Sequence, residues 1–216
     1  MMPQHHLPAD IERTSMKIIA GELAQRGLDI PPENAPVVKR VIHTTADFDF
    51  AQTLRFSEHA VAFGVAALEK GTNIVTDTNM ARSGVSRPSL AKLGGQVFCY
   101  MADEDVARAA KENGTTRAVA AMEKMAREQP GAILAVGNAP TALLELAQLI
   151  EGGLRPALVI AAPVGFVNVV ESKERIWQVC LAHQVPIIAA MGRKGGSGVA
   201  AAICNALLYT ATGRTV

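Results

Sequence analysis

The chain has 216 residues, enough for one domain, and 1–216 reads as a single unit. Its 21 Lys+Arg against 20 Asp+Glu leave a net charge of +1, which excludes a dedicated nucleic-acid binder and makes any anion recognition local. Hydrophobic content is 49% with only 4% aromatic, the profile of an α/β fold whose buried parallel sheet is built from Ala, Val, Ile and Leu.

No stretch approaches the roughly 18 apolar residues of a membrane span, and no basic-then-apolar leader opens the chain. The expectation is a cytoplasmic protein that does not enter a membrane. Cys99, Cys180 and Cys204 lie far apart in apolar runs, as buried thiols rather than metal ligands. His5 and His6 read as a solvated terminal pair, and no metal site is expected.

In chain order, residues 10–26 predict an amphipathic helix stopped by Gly27, with Ile11, Ile18, Ile19 and Leu23 on one face. Ser15 falls on that same face. A hydroxyl there either bonds back to its own helix or points into a shared pocket. A second, short helix starts at Asn34, read as its N-cap, with Pro36 early, and carries Val37, Val38, Val41 and Ile42. His43 closes it. The negative end of the helix dipole favours a protonated ring there, and Asp47 and Asp49 push the same way. Thr44 and Thr45 are placed to hydrogen-bond the ring, and Thr44 is also a candidate substrate contact. A mere capping histidine is the alternative.

A polar bend and a helix over residues 57–70, ended by Gly71, complete an N-terminal helical part, 1–71. The pattern then changes. Residues 73–78, 96–101, 132–136, 157–162 and 186–191 are short apolar runs of strand character. Helical stretches at 103–113, 115–129, 141–151, 172–183 and 198–210 separate most of them. This alternation predicts a doubly wound α/β core over 72–216: a parallel sheet of about five strands with helices on both faces.

Ligands of open α/β sheets bind beyond the carboxyl ends of the strands. Four polar turns fall there: Asp77-Thr78-Asn79, Gly137-Asn138-Ala139-Pro140, Pro163-Val164-Gly165-Phe166, and Gly192 through Gly198. Thr78 and Asn138 are candidate ligand contacts. The last turn, GRKGGSG, lacks the order of a nucleoside-triphosphate loop, but Arg193 and Lys194 suit an anion. A flexible turn, or a nucleotide-binding protein using this loop, is the competing reading. Arg117 sits in the first turn of a helix, where the dipole disfavours a cation unless an anion is bound beside it.

Together, residues 40–50 (RVIHTTADFDF), 76–84 (TDTNMARSG), Thr116-Arg117, 137–143 (GNAPTAL), 163–174 (PVGFVNVVESKE) and 192–208 resemble the precorrin-8X methylmutase family of cobalamin biosynthesis. The stretch RVIHTTADFD resembles the anaerobic branch, whose substrate is cobalt-precorrin-8. The resemblance implies an intramolecular methyl shift from C-11 to C-12 of the corrin ring, giving cobyrinate. It implies no external cofactor, cobalt being carried by the substrate, and a homodimer with its site near the interface. It maps the proton donor onto His43, a substrate-contacting serine onto Ser15 and a substrate-binding arginine onto Arg117. Where many relatives have Ser-Phe, this chain has Ser15-Met16. Arg193, Lys194 and the helix N-termini would meet the corrin carboxylates, with Lys17, Arg40 and Arg82 as further cations. A metal-free substrate and a non-catalytic corrinoid carrier remain alternatives.

Overall fold

A computed structural model describes residues 7–214; the His5–His6 pair lies outside them. The N-terminal part forms α1 (Pro8–Gln25), α2 (Ala35–Thr45), α3 (Phe50–Thr53), β1 (Leu54–Phe56) and α4 (Ala60–Glu69). There follow β2 (Ile74–Thr76), α5 (Asn79–Gly84), α6 (Arg87–Lys92), β3 (Val97–Phe98), α7 (Glu104–Glu112) and α8 (Arg117–Glu128). The chain ends with β4 (Ile133–Val136), α9 (Pro140–Glu151), β5 (Leu158–Ala161), α10 (Val169–Ala182), β6 (Ile187–Ala190) and α11 (Ser197–Ala211).

The sheet has six strands rather than about five, in the order β1-β6-β5-β4-β2-β3. Five are parallel. The sixth, β1, runs antiparallel at the edge, with Leu54 opposite Ala190 and Phe56 opposite Ile188. It comes from the part of the chain read as helical, so residues before Gly71 complete the sheet as well as carrying His43. Three residues flanked by polar ones are too short for alternation to reveal.

The central strands are buried on both faces, and their alternate side chains feed two cores. Ile133, Leu158, Ile160 and Ile188 face α1, α2, α4 and α11; Leu134, Val159 and Ile187 face α8, α9 and α10. The first core is built around α11, whose Val199–Cys204 stretch is buried throughout. Its small side chains let α2, α4 and α5 pack close against it.

Local chemistry explains other departures from the pattern. Asn34 does not cap α2 with its side chain; its backbone lies in the helical region and its carbonyl accepts from the Val37 and Val38 N–H groups. The helices α5 and α6 fall where periodicity predicts nothing, each being only six residues long. Thr78 caps α5 by accepting from the Ala81 N–H at 3.0 Å.

Gly137, just after β4, touches the start of α11. A Cβ there would lie 2.7 Å from Ser197 Cα and 3.0 Å from Gly196 O, both backbone atoms. Gly137→Ala therefore has to push two loops apart, and about 1–3 kcal/mol of stability should be lost. Urea unfolding of the two proteins measures it; an unchanged midpoint would mean that the loops separate freely.

Candidate active site

His43 lies in the last turn of α2 and Ser15 in the middle of α1, the two helices being packed together. Ser15 Oγ is 2.7 Å from His43 Nδ1. The serine is thus turned across to the histidine rather than back to its own helix, and His43, at the end of α2, has a partner outside that helix. Ile19 and Leu23 of α1 are buried, whereas Ile11 and Ile18 are 49% and 55% exposed. The exposed pair flanks Ser15 on the wall of an open groove of ≈ 620 Å³ that also takes in Thr14, His43 and Phe48. An apolar-walled groove with a hydroxyl–imidazole pair inside suits a ligand with a large apolar body and a site of proton exchange.

Neither threonine beside His43 hydrogen-bonds to the ring. Thr44 Oγ1 donates to Arg40 O at 2.9 Å and Thr45 Oγ1 to Val41 O at 2.8 Å, both closing back onto the helix. Asp47 and Asp49 are also engaged elsewhere. Lys194 Nζ donates to Asp47 Oδ2 and Asp49 Oδ2, at 2.6 Å each. The support read for His43 is in fact a clamp between the segment after α2 and the turn after β6.

The strand-end turns form one continuous edge. Asp77, 1% exposed, accepts from the N–H groups of Gly137, Asn138 and Ala139 at 2.8, 2.8 and 2.9 Å. Burial raises the Asp77 pKa, while those three N–H groups favour the ionised form. Thr78 Oγ1 lies 2.8 Å from Ser197 Oγ, which joins the β2 turn to the start of α11. Gly196 N–H donates to Ala162 O and Gly165 N–H to Arg193 O, joining the turns after β5 and β6. At Gly195 a Cβ would collide with the carbonyls of Ala162 and Pro163, so no other residue fits.

Asn138, Arg193 and Arg117 are distributed along this edge. Asn138 is exposed, its N–H spent on Asp77 and its side chain turned to solvent. Arg193 is exposed and stands over the Phe166 ring, 5.6 Å from its centroid. Arg117 is exposed at the start of α8; Thr116, which caps that helix, lies 3.3 Å from Thr141 at the start of α9, directly after the Asn138 turn. Lys17 and Arg40 do not join this edge. They line a separate groove on the other flank of α1, where Arg40 pairs with Glu12. Four large apolar side chains stand out along the edge: Met80, Val164, Phe166 and Val167, at 75%, 47%, 84% and 76% exposure.

Two residues with a part in this arrangement escape sequence reasoning. Asp77 reads as one more polar turn residue; nothing local signals that its carboxylate holds the turn sixty residues on. Lys173 reads as a surface lysine of α10 but is wholly buried, and its Nζ donates to Gly192 O at 2.8 Å and Lys194 O at 2.9 Å. Burial lowers its pKa to about 8. No group of three or more His, Cys, Asp or Glu suited to a metal occurs among the described residues, and none of their helices is long and apolar enough to cross a membrane.

Comparison with known proteins supplies the family. Residues 10–210 match the family described as precorrin-8X methylmutase. The chain is 44% identical to a cobalt-precorrin-8 methylmutase of Salmonella typhimurium over 94% of its own length and 95% of the relative's. It is 42% identical to a protein of the same description from Priestia megaterium, over 93% of this chain and 87% of that one. The crystal structure of a precorrin-8x methyl mutase from Thermus thermophilus superposes with a TM-score of 0.82 at 39% identity, covering 95% of this chain and 99% of that chain.

The Lys194 clamp has a measurable signature. Its hydrogen bond, then the Asp49 N–H, hold the Asp47 carboxyl below its ordinary value of 3.8. A depressed carboxyl pKa contributes stability that is present above the unfolded value and lost as pH falls through the folded one. Lys194→Met should raise the Asp47 pKa towards 3.8, as followed by carboxyl NMR titration. An Asp47 titration that does not move would mean the clamp is not made in solution.

Proposed function

The chain belongs to the precorrin-8X methylmutase family and is an isomerase of cobalamin biosynthesis; we propose that it acts on cobalt-precorrin-8, with His43 as the proton donor. The observation that carries this role is the 2.7 Å contact between Ser15 Oγ and His43 Nδ1 inside an apolar-walled groove. If the serine hydroxyl donates to Nδ1, a neutral ring carries its proton on Nε2, the nitrogen left to face a ligand. A protonated ring presents a donor at Nε2 in the same direction. Either way Ser15 sets which nitrogen exchanges the proton.

Moving a methyl group from C-11 to C-12 rearranges the conjugated system of the macrocycle. Protonating a ring atom withdraws electron density and favours the rearranged form. Product and substrate are isomers, so the proton that His43 lends is returned within the same turnover, and the imidazole must serve as acid and base in sequence. The reaction needs no resident cofactor: no electron is gained or lost, and cobalt arrives in the substrate. The rest of the acceleration comes from holding the substrate in one conformation.

The corrin periphery bears acetate and propionate carboxylates. Arg193 and Arg117, exposed along the strand-end edge, are the side chains to receive them, with Thr78 and Asn138 in the same turns. Lys194, held by two aspartates, contributes by fixing its turn more than as a free cation. Ile11, Ile18, Met80 and Phe166 offer apolar area to a ring face or to a second protomer. A homodimer with the site at its interface would cover both the α1 face and the strand-end edge. A cytoplasmic location accords with a chain whose described helices include no membrane span.

Mixing the protein with cobalt-precorrin-8 should convert its visible spectrum to that of a cobyrinate. His43→Ala should lower kcat by about 10²–10⁴-fold while substrate still binds. Ser15→Ala should lower kcat less and shift the pH profile, because the ring remains but its tautomer is no longer set. Turnover of the His43 variant at the parent rate would remove the proton-donor role. Tight binding with no spectral conversion by the parent would instead establish a carrier.

A further inference from the structure

A lysine buried without a carboxylate partner is rare, because removing an ammonium from water is costly. Lys173 is such a residue: it is 0% exposed, and its Nζ hydrogen bonds go to two backbone carbonyls, Gly192 O and Lys194 O. The carbonyl between them, Arg193 O, accepts from the Gly165 N–H at 3.2 Å. Three consecutive carbonyl oxygens of one turn are therefore each engaged by a donor. A carbonyl oxygen facing outward would repel a carboxylate. With all three engaged by donors, none of them is left free to oppose an anion beside the exposed Arg193 guanidinium.

The same turn is anchored from its other side. The Lys194 side chain reaches Asp47 and Asp49 in the segment that follows His43. Lys173 thus holds the inner wall of the turn, and Lys194 ties it to the end of α2. Between these two anchors the position of Arg193 relative to His43 is set.

We propose that Lys173 is a positioning residue for substrate binding: it shapes the turn after β6 so that Arg193 receives a carboxylate of the substrate. This rests on the methylmutase reading above. Lys173 touches no substrate. It acts through the carbonyls it captures, and the charge is kept in the core because a shorter or neutral side chain would leave the Gly192 and Lys194 carbonyl oxygens without this donor.

Lys173→Met keeps the length and apolar stem while removing the donors. The expected result is a rise in KM for cobalt-precorrin-8 of about tenfold, with kcat changed much less and the pH profile of kcat unmoved. In an Arg193→Met background the same substitution should change KM little further, because the group it positions is already gone. Thermal unfolding accompanies each variant. A melting temperature that falls while KM stays at the parent value would make Lys173 a purely structural residue and overturn the proposal. So would a KM rise of equal size with and without Arg193. Where Lys173→Met does not fold, Lys173→Arg, which retains the donors, is read on the same KM scale and should stay near the parent; a tenfold rise there overturns the proposal too. Absence of conversion by the parent chain would overturn the methylmutase reading itself, and this inference with it.

Discussion

The arrangement depends on the packing of α2 against α11. The sheet and its carboxyl-end turns form one body, and His43 belongs to a helix outside it. Because four of the buried positions of α11 are alanines, with leucine only towards its end, α2 can settle directly on it. The first residue of α11, Ser197, also bonds Thr78 and abuts Gly137. One helix therefore carries the strand-end turns at its start and the histidine-bearing helix along its side. The Lys194 bridge to Asp47 and Asp49 closes the remaining gap.

On that frame the chemistry divides by element. The two helices α1 and α2 supply an imidazole oriented by a hydroxyl, with isoleucines around it. The turns at the sheet edge supply cations and backbone held at fixed positions by Asp77 and Lys173. Both buried charges work on backbone rather than on each other: the carboxylate collects three N–H groups, and the ammonium collects two carbonyls. Each charge offsets its desolvation by hydrogen bonds to a turn, and rigidity of the turns is the result.

Much of this was legible in the chain. Five apolar runs separated by helical stretches pointed to the parallel sheet, and the strand ends marked the edge where polar turns gather. His43 and Ser15 stand out separately, one by its place at a helix end and the other as a hydroxyl on an apolar face. Their contact was not legible, since 28 residues and a loop lie between them and local pattern does not report which helices pack together. Sequence proximity alone links Thr44, Thr45, Asp47 and Asp49 to His43. The helix turns the threonines back to their own carbonyls, and Lys194, some 145 residues away, takes the aspartates.

The sequence by itself determined the class of fold, the family and the residue types of the candidate site, because hydrophobic period and motif spacing are properties of neighbouring residues. Tertiary structure alone decided the pairing of Ser15 with His43, the capture of Lys194, the exposure of Ile11 and Ile18 and the burial of Lys173. The last is the clearest case. A lysine on a helix looks solvated at any local reading, and only the turn arriving from β6 places two carbonyl oxygens where its ammonium can be buried.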